Sequence, residues 1–300
     1  MKPKKSLFIV VGPTASGKSE FAVKLAKELN GEIVSADSRQ VYIGLDLGSG
    51  KVPGRWVKFN GGKLEYLYKK VPHHLIDVAS PLRQYSVARY QKAARAAILD
   101  IVARGKTPII CGGTGHWIDN VVFEQVLPAV APDFKLRSRL NKLSAEKMFE
   151  MLKKLDPKRA AEIDAKNPRR LIRALEIVMS TGKPVPNSEK KLKVWEGFDL
   201  QWIGLNPGME ILEDKIQKRL DERFEEGLLD EVKNLHSTTR LSWKRLESFG
   251  LEYKFCALFL QKKITEAEMH EQLYRAIRQY AKRQMTWWKR NTDIQWITGS

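Results

Sequence analysis

Residues 12–19 read GPTASGKS and constrain the fold of this chain more than any other stretch. They form a complete G-x-x-x-x-G-K-[ST] pattern, preceded by a β-type apolar run at residues 7–11 and followed by helical spacing over residues 20–29. A strand, a glycine loop and a helix in this order predict a phosphate-binding loop; a tight turn with a surface lysine is the structural alternative. The predicted phosphate-binding residues are Gly12, Pro13, Thr14, Ala15, Ser16, Gly17, Lys18 and Ser19.

Two side chains of this loop have predicted chemical roles. Lys18 is placed to reach phosphate oxygens, and the Ser19 hydroxyl to ligate Mg²⁺. Backbone N–H groups and the N-terminus of the following helix add positive potential. The pattern itself leaves open whether the loop holds a nucleotide or another diphosphate.

The chain carries 53 Lys and Arg against 35 Asp and Glu, a formal net charge of +18. The excess is concentrated in residues 153–193, with twelve basic and five acidic residues, and in residues 275–290, which contain no acidic residue. Such a distribution favours a polyanionic partner bound through its phosphates, so we expect a nucleic acid. A lysine-rich surface that only confers solubility is the alternative.

Composition also excludes several classes of protein. No apolar stretch reaches 18 residues, so we expect no membrane association. Only five apolar residues lie between the basic N-terminus and Gly12, too few for a signal peptide, which predicts a cytoplasmic protein. Cys111 and Cys256 lie in apolar contexts and are predicted to be buried thiols, and no Cys/His cluster has zinc spacing.

Strands that alternate with helices predict an α/β fold, with a parallel sheet core flanked by helices. The predicted strands after the first cover residues 31–35, 73–78, 107–111 and 200–205, and long helices cover residues 84–104 and 265–289. Residues 44–72 are expected to form an irregular surface excursion. Residues 123–195 are predicted to be an α-helical insertion domain between two parts of the core, residues 1–122 and 196–300.

Asp37 follows the predicted strand at residues 31–35. Because the carboxyl ends of parallel strands face the ligand crevice, we expect its carboxylate beside the phosphate-binding loop. A general base and a magnesium-coordinating carboxylate are the two interpretations of an aspartate at this position.

Several stretches, in the same order along the chain, resemble the tRNA dimethylallyltransferases of bacterial type. This family transfers an isopentenyl group to the adenosine immediately 3′ of the anticodon. The combination is far more specific than a phosphate-binding loop alone. The matching stretches are GPTASGKS (12–19), SADSRQVY (35–42), HHLIDV (73–78), GGTG (112–115), NPRRLIRALEI (167–177), TGKP (181–184), RLDERFEEGLLDEV (219–232) and AKRQMTW (281–287).

The resemblance implies a P-loop NTPase-like core with a helical insertion, two substrates and Mg²⁺. The substrates are dimethylallyl diphosphate and the anticodon stem-loop of a tRNA, and we expect the protein to be a monomer. Asp37 is implied to be the general base for the adenine N6 amine. Thr114 and Arg219 are implied to face the leaving diphosphate; a helix N-cap and a solvated helix arginine are their structural alternatives.

The same resemblance implies contacts to tRNA. Three neighbours of Asp37 fall in the segment that contacts the target adenosine, and three arginines match the basic stretch of the insertion that approaches RNA, where ordinary helix-surface arginines are the alternative. The residues implied to contact tRNA are Asp37, Ser38, Arg39, Gln40, Arg169, Arg170, Arg173 and Arg283. Arg283 is assigned to either phosphate or RNA. Trp117 and Arg223 depart from the family pattern, which has a tyrosine and commonly a methionine at these positions.

Three other functions fit parts of the sequence. A P-loop kinase or NTPase would turn over ATP, and an adenylate isopentenyltransferase would act on a free nucleotide, for which so broad a cationic insertion is unnecessary. A non-catalytic RNA-binding protein would not need the intact set of Lys18, Ser19, Asp37, Thr114 and Arg219.

Overall fold

The computed structural model describes residues 4–59, 61–62, 64–124, 128, 130–186 and 194–298. The chain divides into two compact units: Met1–Phe123 with Val194–Ser300, and Glu124–Lys193. In the described part of the chain, all strands belong to the first unit. None of the helices described there is long and apolar enough to cross a membrane.

One sheet forms the centre of the first unit, with eight strands among the described residues in the order β3-β4-β5-β2-β6-β1-β7-β8. The central strand β1 is parallel to both of its neighbours, with Val10 opposite Cys111 of β6 and Ile203 of β7. The bounds are β1 (Lys5–Val11), β2 (Gly31–Ser35), β3 (Arg55–Lys58), β4 (Leu64–Tyr68), β5 (Val71–His74), β6 (Thr107–Gly112), β7 (Phe198–Asn206) and β8 (Gln295–Thr298).

Helices cover both faces of the sheet, which explains why β1 is an almost continuous apolar run. Val10 packs on one face with Ala22 and Ala26 of α1. Ile9 belongs to the larger cluster on the other face, together with Tyr90 of α2. The helices of the first unit are α1 (Lys18–Glu28), α2 (Val87–Ala103), α3 (Gly115–Val122), α8 (Met209–Glu225), α9 (Leu228–Ser237), α10 (Trp243–Phe249), α11 (Leu251–Leu260) and α12 (Glu266–Trp288).

The fold confirms the predicted α/β class and the two buried thiols, Cys111 and Cys256. The long C-terminal helix also begins where the sequence predicts. Thr265 caps α12 by accepting from the N–H of Glu268, and the Glu268 carboxylate accepts from the N–H of Thr265, a reciprocal capping box.

The prediction of an irregular excursion at residues 44–72 is wrong. β3 and β4 form an antiparallel hairpin in which Trp56 lies opposite Tyr66. The Tyr66 side chain is buried, and its hydroxyl donates to the carbonyl of Val52 at 2.7 Å. The Gly- and Lys-rich composition of this segment hides the alternation that the hairpin uses.

The predicted strand at residues 73–78 is also misplaced, because β5 ends at His74. Leu75 and Asp77 have φ angles of 63° and 55°, which turn the backbone out of the extended conformation. The N–H of Asp77 instead donates to the carbonyl of Gln40 at 3.1 Å, which ties this turn to the segment after β2.

The second unit is helical in its described residues and has its own apolar core. Glu176 is fully buried there and accepts from the guanidinium groups of Arg137 and Arg173. Burial raises the pKa of Glu176, but these bonds and one from the backbone of Asp133 outweigh burial and lower it to about 2. Its helices are α4 (Phe134–Leu140), α5 (Ala145–Leu155), α6 (Pro157–Glu162) and α7 (Pro168–Thr181).

Glu32 of β2 is a buried carboxylate that links the sheet to the end of α2. It is 0% exposed and accepts from both Nη1 and Nη2 of Arg104 at 2.5 and 2.7 Å. Lys106 Nζ and His74 Nε2 each lie 2.7 Å from the same carboxylate. Burial raises the pKa of Glu32, but the bonds from Arg104, His74 and Lys106 outweigh burial and hold it well below its usual value.

We expect Glu32→Gln to lower the free energy of unfolding at pH 7 by about 2 kcal/mol, because it removes the buried counter-charge of Arg104 and Lys106, whose side chains are partly exposed. A depressed pKa stabilises the fold above the unfolded value of 4.5, and this contribution is lost as the pH falls below it. The difference in the free energy of unfolding between wild type and Glu32→Gln, measured by urea unfolding, should therefore become smaller at acidic pH. Glu28→Gln, an exposed position on α1, is the matched control; equal effects of both would contradict the assignment.

Candidate active site at the carboxyl edge of the sheet

The loop between β1 and α1 has the geometry of a phosphate cradle. Gly17, with φ of 84°, stands at the N-cap of α1, so the helix N-terminus opens toward the loop. A Cβ at Gly12 would lie 2.7 Å from the carbonyl oxygen of Leu205 and 2.8 Å from Ser16 Oγ. Only glycine fits there. Ser16 Oγ is itself buried and has no hydrogen-bond partner among the described residues.

Lys18 folds back over this loop, with Nζ donating to the carbonyl of Pro13 at 3.2 Å. Burial lowers the pKa of the Lys18 ammonium. Cys111 opposes this shift, Arg219 adds to it, and Asp37 opposes it. Because the Arg219 charge disfavours the Lys18 ammonium, an anionic ligand that neutralises the two cations would be favoured here.

Asp37 lies just beyond β2, the strand on the other side of β6 from β1. Its Oδ1 accepts from the N–H of Arg39 at 2.8 Å and, more weakly, from the N–H of Gln40 at 3.5 Å. One carboxylate oxygen therefore fixes the turn. The other receives no hydrogen bond from the part of the chain that the structure describes, so it can accept a proton from a ligand.

Thr114 stands at the N-cap of α3, but its side chain makes no capping bond. Its Oγ1 instead accepts from the N–H of Ser38 at 3.2 Å. Thr114 therefore occupies the N-cap position of α3, but its hydroxyl does not cap the helix. Because Oγ1 accepts from Ser38, its own hydrogen is free to point at a ligand.

Arg219 of α8 is not a solvated helix arginine. Its Nη2 donates to Thr14 Oγ1 at 2.9 Å, which attaches the helix to the phosphate-binding loop. Burial, reinforced by Arg223, lowers the pKa of Arg219 to about 10, while Glu252 and Asp37 oppose this shift. The guanidinium therefore remains charged at neutral pH.

Arg223, one turn further along α8, is 5% exposed, and its Nη1 donates to Glu252 Oε1 at 2.5 Å. Its Nη2 is buried without a partner among the described residues, and a Cβ at Gly50 would lie 2.1 Å from it. Arg223 thus sits where a neutral side chain is common in the family. Its positive charge disfavours the charged form of Arg219, and the charge of its partner Glu252 offsets part of this effect.

Gln284 of α12 is a site residue that the sequence reasoning missed. Its side-chain Oε1 accepts from the N–H of Thr14 at 2.8 Å, and its Nε2 donates to the carbonyl of Gly113 at 3.0 Å. It lies inside the AKRQMTW stretch directly after Arg283, and its uncharged side chain gives no signal there of a role in the site.

The residues predicted to contact adenosine are partly engaged within the chain. Arg39 Nε donates to the carbonyl of Phe249 at 2.6 Å, and its Nη1 lies 3.4 Å from Ser38 Oγ. The Gln40 amide is bonded at both ends: Oε1 accepts from Ser35 Oγ, and Nε2 donates to the carbonyl of Gly50. These bonds order the segment that presents Asp37.

The predicted RNA-contacting arginines fall into two groups. Arg169 and Arg170 are exposed in the first turn of α7, and Arg283 is exposed on α12 with its guanidinium 5.8 Å from the ring centre of Tyr280. Arg173 instead donates to Glu176 and to the carbonyl of Val130, so its guanidinium already holds the second unit together. RNA contact by these side chains stays a prediction.

A glycine loop between a parallel strand and a helix, with Lys18, Arg219 and the Asp37 carboxylate around it, defines a P-loop-type enzyme for a phosphorylated substrate. A family profile described as IPP transferase matches residues 40–291. The chain belongs to this family. The profile begins after Asp37, and the full-length relatives described next extend the similarity over the phosphate-binding loop.

The tRNA dimethylallyltransferase of Bacillus velezensis is 40% identical over 301 residues, covering 99% of this chain and 92% of the relative. The corresponding protein of Anoxybacillus flavithermus is 37% identical over 293 residues, with coverages of 98% and 90%. The crystal structure of the tRNA isopentenylpyrophosphate transferase from Bacillus halodurans matches with a TM-score of 0.68 and 36% identity, covering 98% of this chain and 90% of that one. A eukaryotic dimethylallyltransferase acting on tRNA matches with a TM-score of 0.78 and 26% identity, with coverages of 98% and 74%.

The crowding at Gly12 gives a direct test of the cradle. Gly12→Ala places a methyl group against Leu205 and Ser16, so we expect it to weaken the binding of inorganic pyrophosphate, measured by calorimetry, at least about tenfold. Gly105→Ala is the control, because Gly105 also has a positive φ, of 73°, but open space around it. Unchanged pyrophosphate affinity in a folded Gly12→Ala protein would contradict this geometry.

Proposed function

We propose that the protein transfers the dimethylallyl group of dimethylallyl diphosphate to N6 of the adenosine 3′ of the anticodon in tRNA, releasing diphosphate, and that it acts as a monomer. One observation carries the proposal. An anion cradle with two cations, Lys18 and Arg219, lies at the same edge of the sheet as the Asp37 carboxylate, whose charge acts on both cations and whose second oxygen receives no hydrogen bond from the described residues. Such a substitution requires the departure of an anion and the loss of a proton. In the proposed reaction Lys18 and Arg219 stabilise the anion, and Asp37 accepts the proton.

The leaving diphosphate gains charge as the allylic C–O bond breaks. Lys18, Arg219 and the N–H groups of the loop other than those of Thr14 and Ser16, which bond within the chain, are fixed before the reaction, and such preorganised cations and donors stabilise the transition state without further reorganisation. The Thr114 hydroxyl, oriented by the N–H of Ser38, supplies an additional donor. The P-loop then binds the leaving group, and the hydrocarbon is the group transferred.

The attacking N6 amine is a weak nucleophile because its lone pair is delocalised into the adenine ring. As the N–C bond forms, the amine must lose a proton, and the free oxygen of Asp37 accepts it. The bonds from Arg39 and Gln40 to the other oxygen hold the carboxylate in one orientation. Asp37 is therefore proposed as the general base.

Mg²⁺ fits the site as a substrate-borne cation. The described residues contain no group of three or more His, Cys, Asp or Glu side chains that could hold a metal. The Ser19 hydroxyl is a hard oxygen donor in the first turn of α1, and magnesium commonly combines one or two protein ligands with phosphate oxygens and water. When bound, Mg²⁺ would neutralise charge on the diphosphate.

The positive charge of the chain supports tRNA as the macromolecular substrate. The net charge of +18 and the exposed Arg169 and Arg170 in the second unit match a polyanion, and the relatives named above act on tRNA according to their names. A free nucleotide would not use such an extended basic surface. Reaching a stacked anticodon-loop base further requires that the base be flipped out into the site.

Incubation with labelled dimethylallyl diphosphate and tRNA, followed by location of the modified nucleotide, tests the function. We expect label on a single adenosine beside the anticodon. A parallel incubation with ATP and tRNA tests the kinase alternative, and one with free AMP tests the adenylate isopentenyltransferase. Phosphate transfer from ATP without prenyl incorporation would overturn the proposal.

Asp37→Asn removes the base while the amide oxygen can still accept from the N–H of Arg39. We expect kcat for prenyl transfer to fall by about 10²- to 10⁴-fold, the usual contribution of a general base, with tRNA affinity largely unchanged. Single-turnover transfer and a filter-binding assay measure the two quantities. Near-normal turnover would refute the role of Asp37.

Arg170→Ala separates RNA binding from chemistry. If Arg170 contacts a phosphate, its loss should weaken tRNA binding and reduce the slope of log K against log salt concentration by about one. Lys27→Ala removes the same charge from the last turn of α1, away from the phosphate-binding loop, and serves as the control. An equal effect of both changes would show that only net charge matters.

A further inference from the structure

One buried amide joins the two loops that carry the proposed anion site. Gln284 is 6% exposed, and among the described residues its side chain bonds only to main-chain groups: it accepts from the N–H of Thr14 and donates to the carbonyl of Gly113. Thr14 belongs to the phosphate-binding loop after β1, and Gly113 precedes Thr114 after β6. Both polar ends of the amide are thus used, one for each loop.

Gly113 and Gly115 of the GGTG stretch make room for α12. A Cβ at Gly113 would lie 2.2 Å from Gln284 Nε2, and one at Gly115 would lie 2.3 Å from Cδ1 of Trp287. The two residues that flank Thr114 therefore lie directly under side chains of one helix. Because α12 packs against the residues on both sides of Thr114, the direction of the Thr114 hydroxyl depends on the position of this helix.

Thr14 is held from two sides. Arg219 Nη2 donates to its hydroxyl at 2.9 Å, while its N–H donates to Gln284 Oε1 at 2.8 Å. The N–H of Thr14 is consequently directed at α12 and is withheld from a ligand. The loop is in this way fixed between α8 and α12 before any anion arrives, which is the preorganisation that electrostatic catalysis requires.

We infer that Gln284 is a positioning residue for the transfer reaction: its amide sets the spacing between the phosphate-binding loop and the Thr114 hydroxyl, so that both meet the same diphosphate. This inference rests on the proposed function. Gln284 touches no reacting atom; it acts through Thr14 and Gly113. A buried glutamine that only secures α12 to the core would contribute to stability and leave the kinetics of the folded protein unchanged.

Two substitutions distinguish these roles. Gln284→Glu retains the acceptor for the N–H of Thr14 but replaces the donor to Gly113 with a carboxylate oxygen. Gln284→Met keeps the volume of the side chain, adds no charge and loses both bonds, so it remains informative if the glutamate variant folds poorly. Gln279→Glu makes the same charge change at an exposed position of the same helix and is the control.

The experiment measures kcat and the KM of each substrate on folded protein, together with pyrophosphate affinity by calorimetry. For Gln284→Met we expect the KM for dimethylallyl diphosphate to rise and kcat to fall, each roughly 10- to 100-fold, because small misplacements of catalytic groups have effects of this size. For Gln284→Glu we expect losses at least as large. The KM for tRNA should not change, and Gln279→Glu should match wild type.

Normal kinetics in a folded Gln284→Met protein, even one of lower thermal stability, would overturn the inference. The pyrophosphate measurement separates this failure from failure of the proposed function. If wild type transfers no prenyl group but binds pyrophosphate, and Gln284→Met binds it at least about tenfold more weakly, the coupling of the two loops stands while the proposed reaction falls.

Discussion

Parallel pairing of β1 with β6 and β7 is the constraint on which the site depends. Because the three strands run in one direction and keep the register of Val10 with Cys111 and Ile203, they end at the same edge, and the loops that follow them emerge side by side. The crowding of Gly12 against Leu205 is a direct result of this register. The phosphate-binding loop is shaped by the carboxyl end of β7 as well as by its own sequence.

The parts of the site that the sequence predicts are those written into short local patterns. The phosphate-binding loop follows from glycine, lysine and serine at fixed spacing between a strand and a helix. Asp37 follows from its position just after β2. The roles of Thr114 and Arg219 came from the family resemblance, and the structure adds what the resemblance did not contain, namely the bond from Ser38 to Thr114 and the bond from Arg219 to Thr14.

The parts that the sequence does not predict rest on contacts between distant residues. Gln284 and Thr14 are separated by 270 positions, and no local pattern distinguishes this glutamine from its neighbours on α12. Arg173 resembles Arg169 and Arg170 in sequence, yet its guanidinium bonds to Glu176 within the chain. The β3–β4 hairpin was missed for a related reason, because its pairing buries one tyrosine in an otherwise polar and glycine-rich segment.

Because Gln284 and Thr14 are separated by 270 positions, they are synthesised at different times. At translation rates of about 5–20 residues per second, the loop leaves the ribosome tens of seconds before the helix that completes it. Until α12 has been made, the nascent chain carries the phosphate-binding loop without the bond from Gln284, and β7, which packs against Gly12, is made between the two. The proposed anion site is therefore completed late, when the basic residues at 153–193 have already been made.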